Sequence, residues 1–70
     1  MNIKEQFGER LRKLRNKQGW TQAEMAHRIG IDRSYISEAE SGKRNVCLLN
    51  MKAIADGLGI TLAQLFSGLK

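Results

Sequence analysis

The 70-residue chain has no proline, one cysteine and one histidine, and each shortage excludes something. A single cysteine cannot close an internal disulfide, and with one histidine it cannot supply the four ligands of a structural zinc site. No metal and no cofactor are expected. No apolar run approaches the roughly 18 residues of a membrane span. The opening Met1-Asn2-Ile3-Lys4-Glu5 lacks the apolar stretch of a secretory signal. No membrane partner is expected, and a free thiol suits a reducing compartment. The expected location is the cytoplasm, in association with the nucleoid. There is no Ser–His–Asp set, no paired-carboxylate spacing and no glycine-rich phosphate loop. So short a chain has little room for a pocket, and an enzyme is not expected.

What is present is one small domain, residues 1–70, with its core within about 3–67. A chain of this size buries only about 60% of its unfolded surface, and its core rarely supplies more than roughly 3–5 kcal/mol. Without a disulfide or a metal, tight helix packing or self-association must make up the difference. The net charge of +5 and pI near 9.9 favour a polyanionic partner. That charge is uneven: residues 1–20 carry +4, residues 21–42 carry −2 and residues 43–70 carry +3.

Glycines punctuate the chain where prolines are missing. Ile3, Phe7, Leu11 and Leu14 recur at helical spacing, with Asn2 and Glu5 as the start signal and Gly19 as the stop. Gly8 inside this helix costs up to about 1 kcal/mol against alanine, which predicts a close backbone approach there. Thr21-Gln22-Ala23-Glu24 is a capping box opening a short helix that buries Met25, Ala26 and Ile29 and stops at Gly30. Asp32 caps a third helix running to Gly42, and residues 43–47 form a polar, basic loop. Leu48, Met51, Ile54, Ala55 and Leu58 mark a fourth helix stopped by Gly59. Thr61 and Gln64 cap a fifth that carries Leu62, Leu65 and Phe66. The fold class is all-α, with five helices and no strand. The tight turn Gly30-Ile31-Asp32 between helices 2 and 3 is a helix-turn-helix layout, in which the second helix lies in the DNA major groove.

The run FGERLRKLRNKQGWTQAEMAHRIGIDRSYISEAESGKRN, followed by LLNMKAIADGLGITLAQLF, resembles the lambda-repressor-like, Xre-type helix-turn-helix family over about residues 7–66. Within it, DRSYIS and GKRNV are most similar to the controller proteins of bacterial restriction–modification systems. The resemblance implies a homodimeric, sequence-specific transcriptional regulator that binds a palindromic operator in double-stranded DNA, with RNA polymerase as a further partner. The same fold also serves as a protein-interaction module, such as an antitoxin or a phage-type repressor partner. That alternative predicts a flat salt dependence of binding to random DNA, because only phosphate contacts make it steep.

The site residues follow from this register. Arg33 can fork onto guanine O6 and N7, and Ser34 and Ser37 can bond a base or a phosphate. Glu38 can accept from cytosine N4, and as an unpaired carboxylate it would repel nonspecific DNA. Tyr35 faces the sugar–phosphate backbone or a thymine methyl. The resemblance implies that Gln22 grips a phosphate at the start of helix 2 and that Arg15 and Glu40 form a structural ion pair. Lys43, Arg44 and Asn45 are placed to clamp the backbone beyond helix 3. Arg12, Lys13 and Lys17 are expected on a solvated, steering face, Trp20 in the core and His27 at the surface. Val46-Cys47 departs from the family, which has Ser or Thr there; a thiol caps poorly, and Cys47 is expected in ordinary packing. Leu49 is apolar where the family often carries a charge. With Ile60, Leu65 and Phe66 it suggests a self-complementary dimer patch.

Overall fold

Three reciprocal capping boxes set helix starts in the computed structural model, which describes all of residues 1–70. Asn2 Oδ1 accepts the Glu5 N–H at 2.9 Å while Glu5 accepts the Asn2 N–H at 3.0 Å, opening α1 (Ile3–Gln18). Thr21 and Glu24 exchange two bonds of 3.0 Å at the head of α2 (Gln22–Ile29). Thr61 and Gln64 do the same at α5 (Leu62–Leu65). Each box satisfies two otherwise unpaired N–H groups by local contacts.

The other two starts lack side-chain caps. Asp32 occupies the capping position of α3 (Arg33–Glu40) with extended backbone, yet its carboxylate accepts from Ser34 Oγ at 2.7 Å instead of from a backbone N–H. Cys47 heads α4 (Leu48–Leu58) with no cap bond, as a thiol should. It is exposed, so the expected packing role is corrected. The third helix also ends at Glu40, two residues earlier than expected, and Gly42 at φ 78° turns the chain away.

Every helix contributes to one core: Phe7 and Leu11, Met25 and Ala26, Ile36 and Ala39, Ile54, Ala55 and Leu58, and Leu65, joined by Val46 from the loop. Ile29, expected to be buried, is only half-buried against it, and two expected members are exposed. Ile3 is 55% exposed and Leu48 69% exposed, because both sit in the first turn of their helices beyond the packed layer. Gly8 explains the α1–α3 contact. A Cβ built there would lie 2.5 Å from the Ala39 carbonyl oxygen and 2.6 Å from that of Glu40, so only glycine permits this approach. Helix α3 is thereby seated against α1 on one side and α2 on the other. No helix is long and apolar enough to cross a membrane.

Candidate nucleic-acid interface

The geometry of α3 divides its residues by side. At 100° per residue, Arg33, Ser37, Ser34 and Glu38 fall on one arc, while Tyr35, Ala39, Ile36 and Glu40 fall on the other. Ile36, Ala39 and Glu40 are buried, and Tyr35 packs half-buried against the core. Arg33, Ser34 and Ser37 are exposed.

Glu40 is the buried anchor of the arrangement. Its side chain is 0% exposed, and Arg15 grips it with two bonds, Nε to Oε2 at 2.6 Å and Nη2 to Oε1 at 2.9 Å. Arg15 Nη1 also donates to the Trp20 carbonyl at 2.7 Å, tying in the connection before α2. Burial alone would push the Glu40 carboxyl up. The hydrogen bonds from Arg15 and Gln22 and the charges of Arg15 and Arg12 outweigh it, holding the carboxyl below the usual range. The same pairing raises Arg15. The ion pair implied by the family resemblance is therefore present, and it joins α1 to α3.

Two residues enter this network unexpectedly. Gln22 Nε2 donates to Glu40 Oε1 at 3.1 Å, so one of its two amide N–H groups is already engaged. Arg12 Nε lies 3.7 Å from Glu40 Oε1, and its Nη2 reaches the Glu40 carbonyl at 3.5 Å. At 52% exposed it lies on the solvated face expected of it, while its charge also falls on Glu40. The signal was available: Arg12 and Arg15, three apart, share one face of α1.

A second correction concerns Glu38. It is not unpaired, because Arg44 Nη2 donates to its Oε1 at 2.6 Å. The Arg44 guanidinium also lies 4.6 Å from the Tyr35 ring centroid. The Tyr35 hydroxyl in turn accepts the Cys47 N–H at 3.3 Å. No sequence spacing marks this contact, since it depends on how the loop folds back. Lys43 and Asn45 remain exposed, with no side-chain hydrogen bond, as does Arg33. Ser34 is engaged with Asp32 through its proton but keeps its lone pairs. Trp20 is half-buried against the core, with the Arg28 guanidinium 4.7 Å from its ring, and His27 is exposed.

The expected dimer patch is broken up. Leu65 is fully buried within the protomer and cannot face a partner. Leu49 is 82% exposed and Phe66 36% exposed, but Ile60 packs half-buried against the core. Phe66 lines a groove of about 370 Å³ with Ile3, Phe7, Val46, Met51 and Leu69, whereas Ile60 lines a different one with Leu14 and Ala63. Leu48, outside the expected patch, is 69% exposed in the first turn of α4.

Comparison with known proteins places the fold in a family. The helix-turn-helix family profile matches residues 11–65. The control protein C.MunI of a Mycoplasma species is 49% identical over 70 residues, covering 99% of this chain and 95% of that protein. The control protein C.BamHI of Bacillus amyloliquefaciens is 38% identical over 60 residues, covering 84% of this chain and 74% of its own length. Among solved structures, the restriction-modification controller protein C.AhdI from Aeromonas hydrophila superposes with a TM-score of 0.87 at 43% identity. That match covers 90% of this chain and 91% of C.AhdI.

Proposed function

The chain belongs to the helix-turn-helix family and is a DNA-binding transcriptional regulator; on that premise we propose that it controls a restriction–modification operon by reading a palindromic operator as a homodimer. The observation that carries this reading is the free polar edge of α3. Arg33 at its start and Lys43 and Asn45 after its end have no side-chain hydrogen bonds, while the Glu40 network holds the helix rigidly from behind.

The roles divide by chemistry. Arg33 sits in the first turn of α3, where the helix dipole disfavours a cation. A guanine edge compensates by accepting two parallel bonds, worth about 1–3 kcal/mol of discrimination. Ser34 and Ser37 lie beside it, Ser34 as an acceptor and Ser37 as donor or acceptor. Gln22 heads α2 with one N–H spent on Glu40 and a second available to a phosphate at that helix N-terminus. Lys43 and Asn45 hold the backbone on the other side.

For the dimer, Leu48 and Leu49 on α4 and Phe66 after α5 are exposed apolar side chains that take the place of the set that included Leu65; Met1 and Ile3, at the other end of the chain, are the other large apolar residues left exposed. A two-fold axis through it would present two α3 helices to successive major grooves, about one turn of DNA apart.

The division of roles is tested with Arg33→Ala and Gln22→Ala. Arg33→Ala loses preference at one base pair per half-site and keeps nonspecific affinity. Gln22→Ala weakens all sequences alike. Identical behaviour of the two variants would contradict the assignment.

A further inference from the structure

The loop after α3 is pinned back onto that helix. The Glu38 carbonyl accepts the Lys43 N–H at 2.9 Å and the Ser41 hydroxyl at 3.0 Å. The Tyr35 hydroxyl holds the far end of the loop through the Cys47 N–H. Gly42 makes the reversal beside helix α1, where an added Cβ would come within 2.8 Å of Glu5 Cγ. Arg44 therefore cannot swing freely with a mobile loop. It lies across Tyr35 with its guanidinium on Glu38, while its neighbours Lys43 and Asn45 stay free.

This pairing cancels a clamp cation against the one carboxylate on the outward arc of α3. Both side chains are partly exposed, Arg44 at 42% and Glu38 at 45%, so DNA can reach them. A phosphate can draw Arg44 away only by leaving Glu38 without its cation, and a lone carboxylate beside phosphates is repelled. One class of neighbour removes that penalty. An exocyclic amino group in the major groove, cytosine N4 or adenine N6, can donate to Glu38.

We propose that Glu38, Arg44 and Tyr35 form a specificity latch, in which Arg44 passes from Glu38 to a phosphate only where Glu38 meets a base amino group. The latch rests on the reading that α3 faces the major groove. On random DNA the exchange leaves a carboxylate unpaired, so the clamp holds weakly. On the operator both charges find partners. Glu38 is then a specificity-determining residue that acts by penalising wrong sequences. Tyr35 is a positioning residue that keeps Arg44 within reach of both.

The test measures binding of the full chain to a random-sequence duplex across a salt series, for the wild type, Glu38→Gln, Arg44→Met and the double variant. The latch predicts that Glu38→Gln binds random DNA about two- to fivefold tighter, the range of an exposed ion pair. Its salt slope steepens by about 0.9, one phosphate contact. The gain disappears when Arg44→Met is already present. An equal gain in both backgrounds means plain repulsion by Glu38 and overturns the latch, as does unchanged or weaker binding by Glu38→Gln. If the wild type itself shows no salt dependence, the DNA-facing reading of α3 fails, and the latch with it.

Discussion

A carboxylate with no access to water must find its donors inside the protein, and Glu40 finds them on two side chains from two helices, Arg15 and Gln22, with the Arg12 charge 3.7 Å away. Removing one partner of a buried ion pair costs about 3–5 kcal/mol, because the other charge stays behind. That equals the whole stability expected of a core this small. Glu40→Gln should therefore unfold at much lower temperature or denaturant concentration, and unchanged thermal unfolding would show the pair to be ornamental. The pH dependence has a definite sign. The Glu40 carboxyl is held below its ordinary value in the folded chain, so its contribution is full above about pH 4.3, the unfolded value. It fades as pH falls through the lower folded value. Acid should thus erode wild-type stability below about pH 4 more steeply than that of a Glu40→Gln variant. Parallel acid-unfolding curves would contradict this assignment.

Helix boundaries show where local chemistry suffices and where it does not. Starts at Asn2, Thr21 and Thr61 were legible because a capping box is complete within four residues. The close approach at Gly8 was legible too, since a glycine inside a helix needs a reason. The Arg44–Glu38 pair was hidden, because it joins α3 to a loop whose relative placement no spacing encodes. Burial of Leu65 was missed for the same reason: an apolar residue in a short terminal helix suits a core or a partner equally well. Two substitutions test the elements. Gly8→Ala drives a methyl into the Ala39 and Glu40 carbonyls and should cost about 1–3 kcal/mol, as overpacking does. Wild-type stability in that variant would mean α1 and α3 can separate freely. Cys47→Ser supplies the missing cap of α4 on a backbone already extended, at φ −76° and ψ 159°. It should raise the urea midpoint by the equivalent of about 1 kcal/mol; no gain would place the limiting strain of that turn elsewhere.

At the scale of the whole molecule, the acidic character of residues 21–42 needs reconciling with a polyanionic partner. All four of its carboxylates have partners: Glu24 accepts the Thr21 N–H, Asp32 accepts the Ser34 hydroxyl, and Glu38 and Glu40 are paired with Arg44 and Arg15. The effective field at α3 is therefore less negative than the count of charges suggests, and Arg33 with Lys43 stands out from it. Dimerisation completes the proposal, since one α3 reads too few base pairs to define an operator. Leu49→Lys should shift sedimentation toward the monomer and reduce operator affinity, leaving the fold intact because Leu49 is exposed. The account is tested most directly by selecting bound duplexes from a random DNA pool. It predicts an inverted repeat with half-site centres about 10 base pairs apart and a guanine in each half-site whose enrichment Arg33→Ala abolishes. Enrichment of a single unpaired half-site, or of no sequence at all, would contradict it.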